Sequence, residues 1–256
     1  MTALRFDLMR PHQIRDAIAR NLPVVLPIGV MEYHGEHLGV GMDLLAVTRV
    51  LDRLEAEVPG QIVILPPFAY GAASHAVAGP EGSGTLHVDA GHIVPMAQDM
   101  FRGLLRIGFR NIHGLIHHQT ENFAAGMPTD LAFRLAGRQA VFDHLERERG
   151  EGWWGRNDMQ DYYARHASGT DPFNWVRVHP LMTPEITASY PFDHAGIGET
   201  SLMLALAPEV VEMDRLATDT AWYTASAAHA SAGLGEGGVA AILAHLRAAL
   251  GIGAAT

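Results

Sequence analysis

The stretch VVLPIG, residues 24–29, decides the predicted fold. An uninterrupted apolar run of this length, bounded by turn residues, is typical of a strand buried on both faces of a parallel sheet. Two later runs have the same character, QIVILP at 61–66 and NIHGLIH at 111–117. Helical spacing of apolar residues lies between them, at 44–58 and 89–108. This alternation predicts an α/β fold with a mainly parallel central sheet.

The remaining segments add helices and one irregular region. Residues 151–192 are rich in Trp and Tyr without a clear period, so we interpret them as an aromatic insert in a single domain spanning 1–256. The other predicted helices cover about 11–20, 122–149, 201–206, 217–232 and 238–250.

Composition restricts the class of protein. Apolar residues make up 48% of the 256 residues and charged residues 18%, as in a compact globular protein. The net charge is -10 and no basic run occurs, which argues against a nucleic-acid partner. No apolar run is long enough to cross a bilayer, so no membrane association is predicted. The chain has no Cys, which excludes thiolate metal sites and fits a cytoplasmic location.

Candidate metal ligands follow the first predicted strand. Glu32 and His34 are two residues apart, so in extended chain their side chains project the same way. A turn at Gly35 would allow Asp43 to return toward them. Carboxylate and imidazole donors without thiolates suit Zn²⁺, Mn²⁺ or a similar divalent ion. The alternative is a polar loop whose His is simply hydrogen-bonded, and spacing alone leaves both open.

Two other segments carry His with a carboxylate. IHHQTEN (116–122) follows the third strand and offers His118 and Glu121, although paired His there could only hydrogen-bond backbone. DHAGIGETS (193–201) offers His194 and Glu199. Glu199 could cap a helix N-terminus, or it could contact a metal while His194 acts as a general acid.

These segments resemble motifs of the creatininase (creatinine amidohydrolase) family. LPIGVMEYHGEHLGVGMD resembles that family's Pro-x-Gly turn followed by Glu-x-His-Gly-x-His-Leu and a later Asp. The segment from GFRNI to LIHH resembles its strand leading into Asn-Gly-His, and DHAGIGETS resembles its His-Ala-Gly-x-x-Glu-Thr-Ser segment. YGAASH and GSGTLHVD resemble its substrate loop. The motifs occur in order between about residues 20 and 210.

The resemblance implies a three-layer αβα sandwich, a homo-oligomer (a hexamer in many members) and two divalent ions, Zn or Mn. It implies that Asp43 bridges the ions and that His194 is catalytic. The second-ion carboxylate is either Glu121, which is also a catalytic candidate, or Glu199. The implied metal ligands are Glu32, His34, Asp43, His118 and Glu199, with Gln119 in the place of His118 if the register shifts by one. The substrate-binding candidates are Tyr70, Ser74, His37 and Gln119.

The sequence also departs from the family pattern. HHQTEN replaces the usual Asn-Gly-His-Gly-Gly-Asn, and HAVAGPEGSG occupies the substrate loop. The leading hypothesis is therefore a metal-dependent hydrolase of a small cyclic amide or related C–N bond, without creatinine assigned as its substrate. The polar residues His117, Gln119, Glu121, Arg156 and Asn157 suit a second hypothesis, hydrolytic C–C opening of a cyclic polyol ketone of the inosose type. A third is a non-catalytic relative that only binds a small molecule.

Overall fold

A parallel sheet forms the centre of the computed structural model, which describes residues 4–253. The strands are ordered β1-β3-β2-β4-β5, and all their pairings are parallel. Their carboxyl ends therefore meet at one edge of the sheet. The strands are β1 Leu4–Arg5, β2 Val24–Ile28, β3 Val63–Ile64, β4 Ile112–Ile116 and β5 Val176–Pro180.

Helices cover both faces of the sheet. Val24, Leu26 and Ile28 of β2 belong to one apolar core with residues of α1, α3 and α4. Val25 belongs to a second core with residues of α2, α7 and α8. Because neighbouring β2 side chains enter different cores, the sheet is the middle layer, which confirms the predicted three-layer αβα fold. The helices are α1 Pro11–Ala19, α2 Met42–Glu57, α3 Ala90–Ile107, α4 Pro128–Arg149, α5 Tyr162–Ala167, α6 Pro184–Thr187, α7 Ile197–Leu206 and α8 Ala232–Leu250.

Several predicted elements were wrong in extent or kind. The helix predicted over 122–149 begins only at Pro128, because a 3-10 turn at Thr120–Asn122 precedes it. The helix predicted at 217–232 is replaced by two 3-10 helices, Met213–Thr218 and Trp222–His229. The segment 151–192 is not wholly irregular, because β5 lies within it and pairs with β4. Within residues 4–253, no helix combines the length and the apolarity needed to cross a membrane.

Candidate metal centre

Four segments converge at the carboxyl edge of the sheet. Glu32 and His34 follow β2, and His118 follows β4. Asp43 lies in the first turn of α2, and Glu199 lies in the first turn of α7. Both acidic side chains thus sit at helix N-termini, where the helix dipole favours negative charge. All five residues are buried, each at most 5% exposed.

Two groups of three potential ligands share Asp43. Glu32, Asp43 and His118 form one group, and His34, Asp43 and Glu199 form the other. Within each group the potential ligand atoms lie within 4.8 Å of one another. Asp43 is therefore the residue common to these two groups.

In the first group, His118 lies beside both carboxylates. Its Nδ1 is 3.2 Å from Glu32 Oε2 and 3.6 Å from Asp43 Oδ2. Gln119, the register alternative, has a left-handed backbone with φ of 53° and lines the cavity beside the cluster. The geometry thus brings His118 to the cluster.

In the second group, the tautomer of His34 follows from its hydrogen bond. Nδ1 lies 3.0 Å from the carbonyl oxygen of Glu32, which can only accept, so Nδ1 carries the proton. The Nε2 lone pair is then left on the other side of the ring. Nε2 lies 3.5 Å from Glu199 Oε2 and 3.7 Å from Asp43 Oδ2.

Several buried polar atoms of the cluster lack a hydrogen-bond partner among the described residues. They include His34 Nε2, Asp43 Oδ2 and His118 Nε2. Unpaired buried polar atoms are costly, so a concentration of them at one point requires an explanation. A divalent cation that accepts nitrogen and oxygen ligands fits this donor set.

Opposite charges shift the pKa values of these groups. Burial raises the pKa of Asp43 and of Glu199, but His34 and His117, joined by His118 in the case of Asp43, together outweigh burial and hold both carboxyl pKa values below their usual range. Burial lowers the pKa of His34, yet Asp43 and Glu199 raise it above its ordinary value. For His118, burial is outweighed by the adjacent carboxylates of Asp43 and Glu32, which raise the pKa to about 10. The ion-free cluster therefore holds protons that a bound cation would displace.

Glu199 is oriented by two donors. His117 Nε2 lies 3.0 Å from Glu199 Oε1, and the backbone N–H of Ala195 donates to Oε2 over 2.7 Å. The sequence did not predict a role for His117 at the metal centre. The one feature that could have indicated it is the pair of His residues, His117 and His118, at the end of a predicted strand. His117 is fully buried, so the structure places it behind the ligands and not in the cavity.

Asp193 organises the turn that presents Glu199. Its carboxylate accepts from the backbone N–H groups of Gly198, at 2.9 Å, and Glu199, at 3.2 Å. Burial raises the pKa of Asp193, and these backbone hydrogen bonds act in the opposite direction. The capping role predicted as an alternative for Glu199 is thus performed by Asp193, which leaves Glu199 available to the cluster.

His194 lies at the margin of the cluster. Its ring stacks on that of His34 with centroids 4.3 Å apart, and its Nε2 is 2.9 Å from the carbonyl oxygen of Tyr33. Because a carbonyl can only accept, Nε2 carries a proton and Nδ1 is left to exchange one. His194 also forms a third group of potential ligands with Glu32 and His34.

A cavity of about 380 Å³ opens onto the cluster. Glu121 and Gln119 contribute polar groups to it, and Glu121 is exposed and absent from the ligand groups. The residues lining the cavity are Glu32, Asp43, Val77, His118, Gln119, Glu121, Phe192, Asp193, His194 and Glu199.

Other substrate-binding candidates lie outside this lining. His37 is buried, with Nε2 2.9 Å from Thr200 Oγ1, so it supports the start of α7. Tyr70 is 51% exposed. Ser74 uses its backbone N–H to bind His87 Nδ1, and its loop reaches the cavity through Val77. Of the residues cited for a polyol ligand, Arg156 and Asn157 are also absent from the lining.

Comparisons with known proteins agree with this architecture. A creatinine amidohydrolase from Pseudomonas putida is 29% identical over 195 residues, which are 75% of this chain and 67% of that protein. The structure of a manganese form of creatininase matches with a TM-score of 0.69 and 23% identity, covering 97% of this chain and 99% of that one. A Zn-Zn form of a creatininase mutant matches with a TM-score of 0.68 and 23% identity, covering 98% and 99%. At these identities the structural likeness shows the shared fold.

The family assignment rests on the length of the match. The family model described as Creatininase, creatinine amidohydrolase, matches residues 7–249. That span includes every motif on which the resemblance was based. The chain therefore belongs to the creatininase family of hydrolases.

Proposed function

We propose that this chain is a divalent-metal-dependent hydrolase that cleaves the C–N bond of a small cyclic amide at a two-ion centre sharing Asp43. The observation that carries the proposal is the position of Asp43 in both ligand groups, with a buried Oδ2 that has no hydrogen-bond partner among the described residues. In the proposed assignment, Glu32 and His118 complete one site, and His34 and Glu199 complete the other.

The donor set supports zinc or manganese as the ions. Each site would combine one imidazole nitrogen with carboxylate oxygens, a mixture that suits borderline divalent ions. The Zn-Zn and Mn forms of the similar creatininases support the same choice. When bound, such ions polarise a carbonyl and lower the pKa of water.

The chain's own residues would position the substrate and move its protons. Hydrolysis of an amide adds hydroxide to the carbonyl carbon and a proton to the departing nitrogen. The Tyr33 carbonyl accepts from Nε2, so Nδ1 of His194 could take the proton that the attacking water releases and pass it to the departing nitrogen. The stacked His34 ring limits rotation of His194, so its Nδ1 would be oriented before the substrate arrives.

The cavity supports a small polar substrate. A volume of about 380 Å³ lies within the usual range of small-ligand pockets. Glu121 and Gln119 would contact the substrate, and the exposed position of Glu121 favours this role over metal binding. The name of the Pseudomonas putida relative supports an amide as the bond cleaved. The homo-oligomeric state and the cytoplasmic location remain predictions.

A matched pair of variants tests the proposal. Glu32→Gln removes a proposed ligand, while Glu36→Gln makes the same change four residues away at an exposed position of the same loop. Both variants and the wild type are loaded with Zn²⁺ or Mn²⁺ and assayed on a panel of cyclic amides and oxidised inositols. We expect amide hydrolysis by the wild type and Glu36→Gln, and a loss of kcat/KM of roughly 100-fold or more in Glu32→Gln.

Three results would contradict the proposal in distinguishable ways. If Glu32→Gln is as active as the wild type, the reaction does not depend on the proposed metal centre. Turnover of the oxidised inositols alone would support the C–C hydrolase, and saturable binding without turnover of any compound would support a binding protein.

A further inference from the structure

A second, larger cleft lies at the opposite edge of the sheet. It has a volume of about 740 Å³ and lies where β2, β4 and β5 begin, beside the carboxyl end of α8. The metal centre lies beyond the carboxyl ends of the same strands. The two sites therefore share the sheet but no lining residue.

The charge of this cleft opposes that of the protein. Arg20, Arg110 and Arg177 line it, and no Asp or Glu does. The whole chain carries a net charge of -10, so an acid-free cleft with three arginines is a marked local exception. Such a concentration of positive charge attracts anions.

Arg110 is held rigidly without a carboxylate partner. Its guanidinium donates to the carbonyl oxygens of Leu105 and Phe109, each at 2.8 Å, and lies 4.7 Å from the centroid of the Trp175 ring. Its Nη2 also lies 3.0 Å from His144 Nε2. Burial lowers the pKa of Arg110 and Glu148 opposes that shift, but no salt bridge joins Arg110 to a carboxylate of the described residues. A fixed guanidinium has already lost the conformational freedom that binding an anion would otherwise remove.

Arg177, like Arg110, is hydrogen-bonded to a backbone carbonyl and has no salt bridge among the described residues. Its Nε donates to the carbonyl oxygen of Asn174 over 2.8 Å, and among the described residues it forms no salt bridge. Burial lowers its pKa as well. Arg20 does pair with Asp16, at 3.2 Å on the exposed side, and also donates to the Gly60 carbonyl. Partly buried cations are normally paired. Asp171 and Glu148 oppose the lowering of the pKa of Arg177 and of Arg110, but among the described residues neither arginine forms a salt bridge with a carboxylate.

We propose that this cleft binds a small molecule bearing a phosphate or carboxylate group, with Arg177 and Arg110 as its principal contacts. The two terminal nitrogens of Arg177 make no hydrogen bond with the described residues, so they can donate two parallel hydrogen bonds to either anion, and Arg110 adds positive charge beside them. The amides of Asn21 and Gln61 supply further polar groups in the lining. The site is independent of the proposed hydrolytic activity.

Calorimetric titration of the intact protein at low salt tests this site. Inorganic phosphate is the probe in one arm and citrate in the other. We expect saturable binding of at least one probe at one site per chain, and about tenfold or greater weakening in Arg177→Gln and in Arg20→Gln. Arg20 is exposed, so its variant remains informative if Arg177→Gln fails to fold. Arg15→Gln removes an exposed arginine of α1 that does not line the cleft, and its binding should equal that of the wild type.

The variants also separate this cleft from the metal centre. Binding of the probe should persist in Glu32→Gln, because that variant alters only the metal centre. The proposal is overturned if neither probe saturates, if Arg177→Gln and Arg20→Gln both bind like the wild type, or if Glu32→Gln abolishes binding. Preference for phosphate or for citrate identifies which oxyanion the cleft selects.

Discussion

Replacing His117 with Leu should weaken metal binding without removing a ligand. The Glu199 carboxylate is held by His117 Nε2 at 3.0 Å and by the Ala195 N–H at 2.7 Å. His117→Leu deletes the first donor and leaves Glu199 free to rotate about the second. A hydrogen bond to a charged group contributes about 1.5–3 kcal/mol, which corresponds to roughly 10- to 100-fold in affinity.

The assay is competition with a metal chelator, starting from metal-free protein. We expect the site containing Glu199 to lose about 10- to 100-fold in Zn²⁺ or Mn²⁺ affinity in His117→Leu. His117→Gln keeps an N–H donor and should recover most of that loss. His113→Leu is the matched control, because His113 is buried in β4, the strand that leads to His117, but its ring contacts His179 and Asn111.

Two outcomes would refute this reasoning. If His117→Leu binds metal as tightly as the wild type, the Glu199 hydrogen bond does not position a ligand. If His113→Leu weakens binding equally, the loss reflects general disturbance of β4.

Three further predictions address other parts of the molecule. Glu199→Gln should lower metal affinity at least tenfold while Glu121→Gln leaves it within a fewfold of wild type, measured by the same competition; the reverse order would make Glu121 the ligand. Burial lowers the pKa of His179 to about 4, so the unfolded chain binds a proton there below its ordinary pKa of about 6.5 while the folded chain does not. The free energy of unfolding should therefore fall between about pH 6.5 and 4, and urea denaturation of His179→Gln should show a shallower fall; an equal fall would contradict the assignment. Gly235→Ala should destabilise the protein by about 1–3 kcal/mol, because a Cβ there would lie 1.9 Å from a backbone oxygen of α7. Gly237→Ala places its Cβ where no atom lies within 4 Å, so it should stabilise the protein by roughly 0.5–1 kcal/mol. Thermal unfolding that ranks the two variants the other way would be inconsistent with the packing of α7 against α8.

The sequence predicts elements whose signal is local. The run at 24–29 is apolar throughout, and β2 is buried at each of its positions as expected. β5 has the sequence VRVHP and pairs on one side only, so its side chains are partly exposed and no apolar run identifies it. β1 has two residues, which is too short to establish a period.

The residues of the candidate site also differ in how far the sequence alone predicts them. Glu32, His34 and Asp43 are close in sequence, so their spacing suggested a shared site, although a polar loop with a hydrogen-bonded His fitted the same spacing. Glu199 lies 156 positions after Asp43, and its role depended on whether it or another residue caps α7. In the structure Asp193 accepts from the backbone N–H groups at the start of α7, a contact that exists only in the folded chain and that no spacing in the sequence predicts. His37 was predicted from the motif to bind substrate, but its side chain contacts Thr200 and it is not among the residues that line the cavity.

Metal titration of the metal-free protein tests the shared role of Asp43 most directly. The wild type should bind two Zn²⁺ or Mn²⁺ ions per chain, because Asp43 belongs to both ligand groups. Asp43→Asn should weaken both sites together. Saturation of the wild type at one ion or none, or an Asp43→Asn variant that still binds two ions tightly, would contradict a two-ion centre built on this residue.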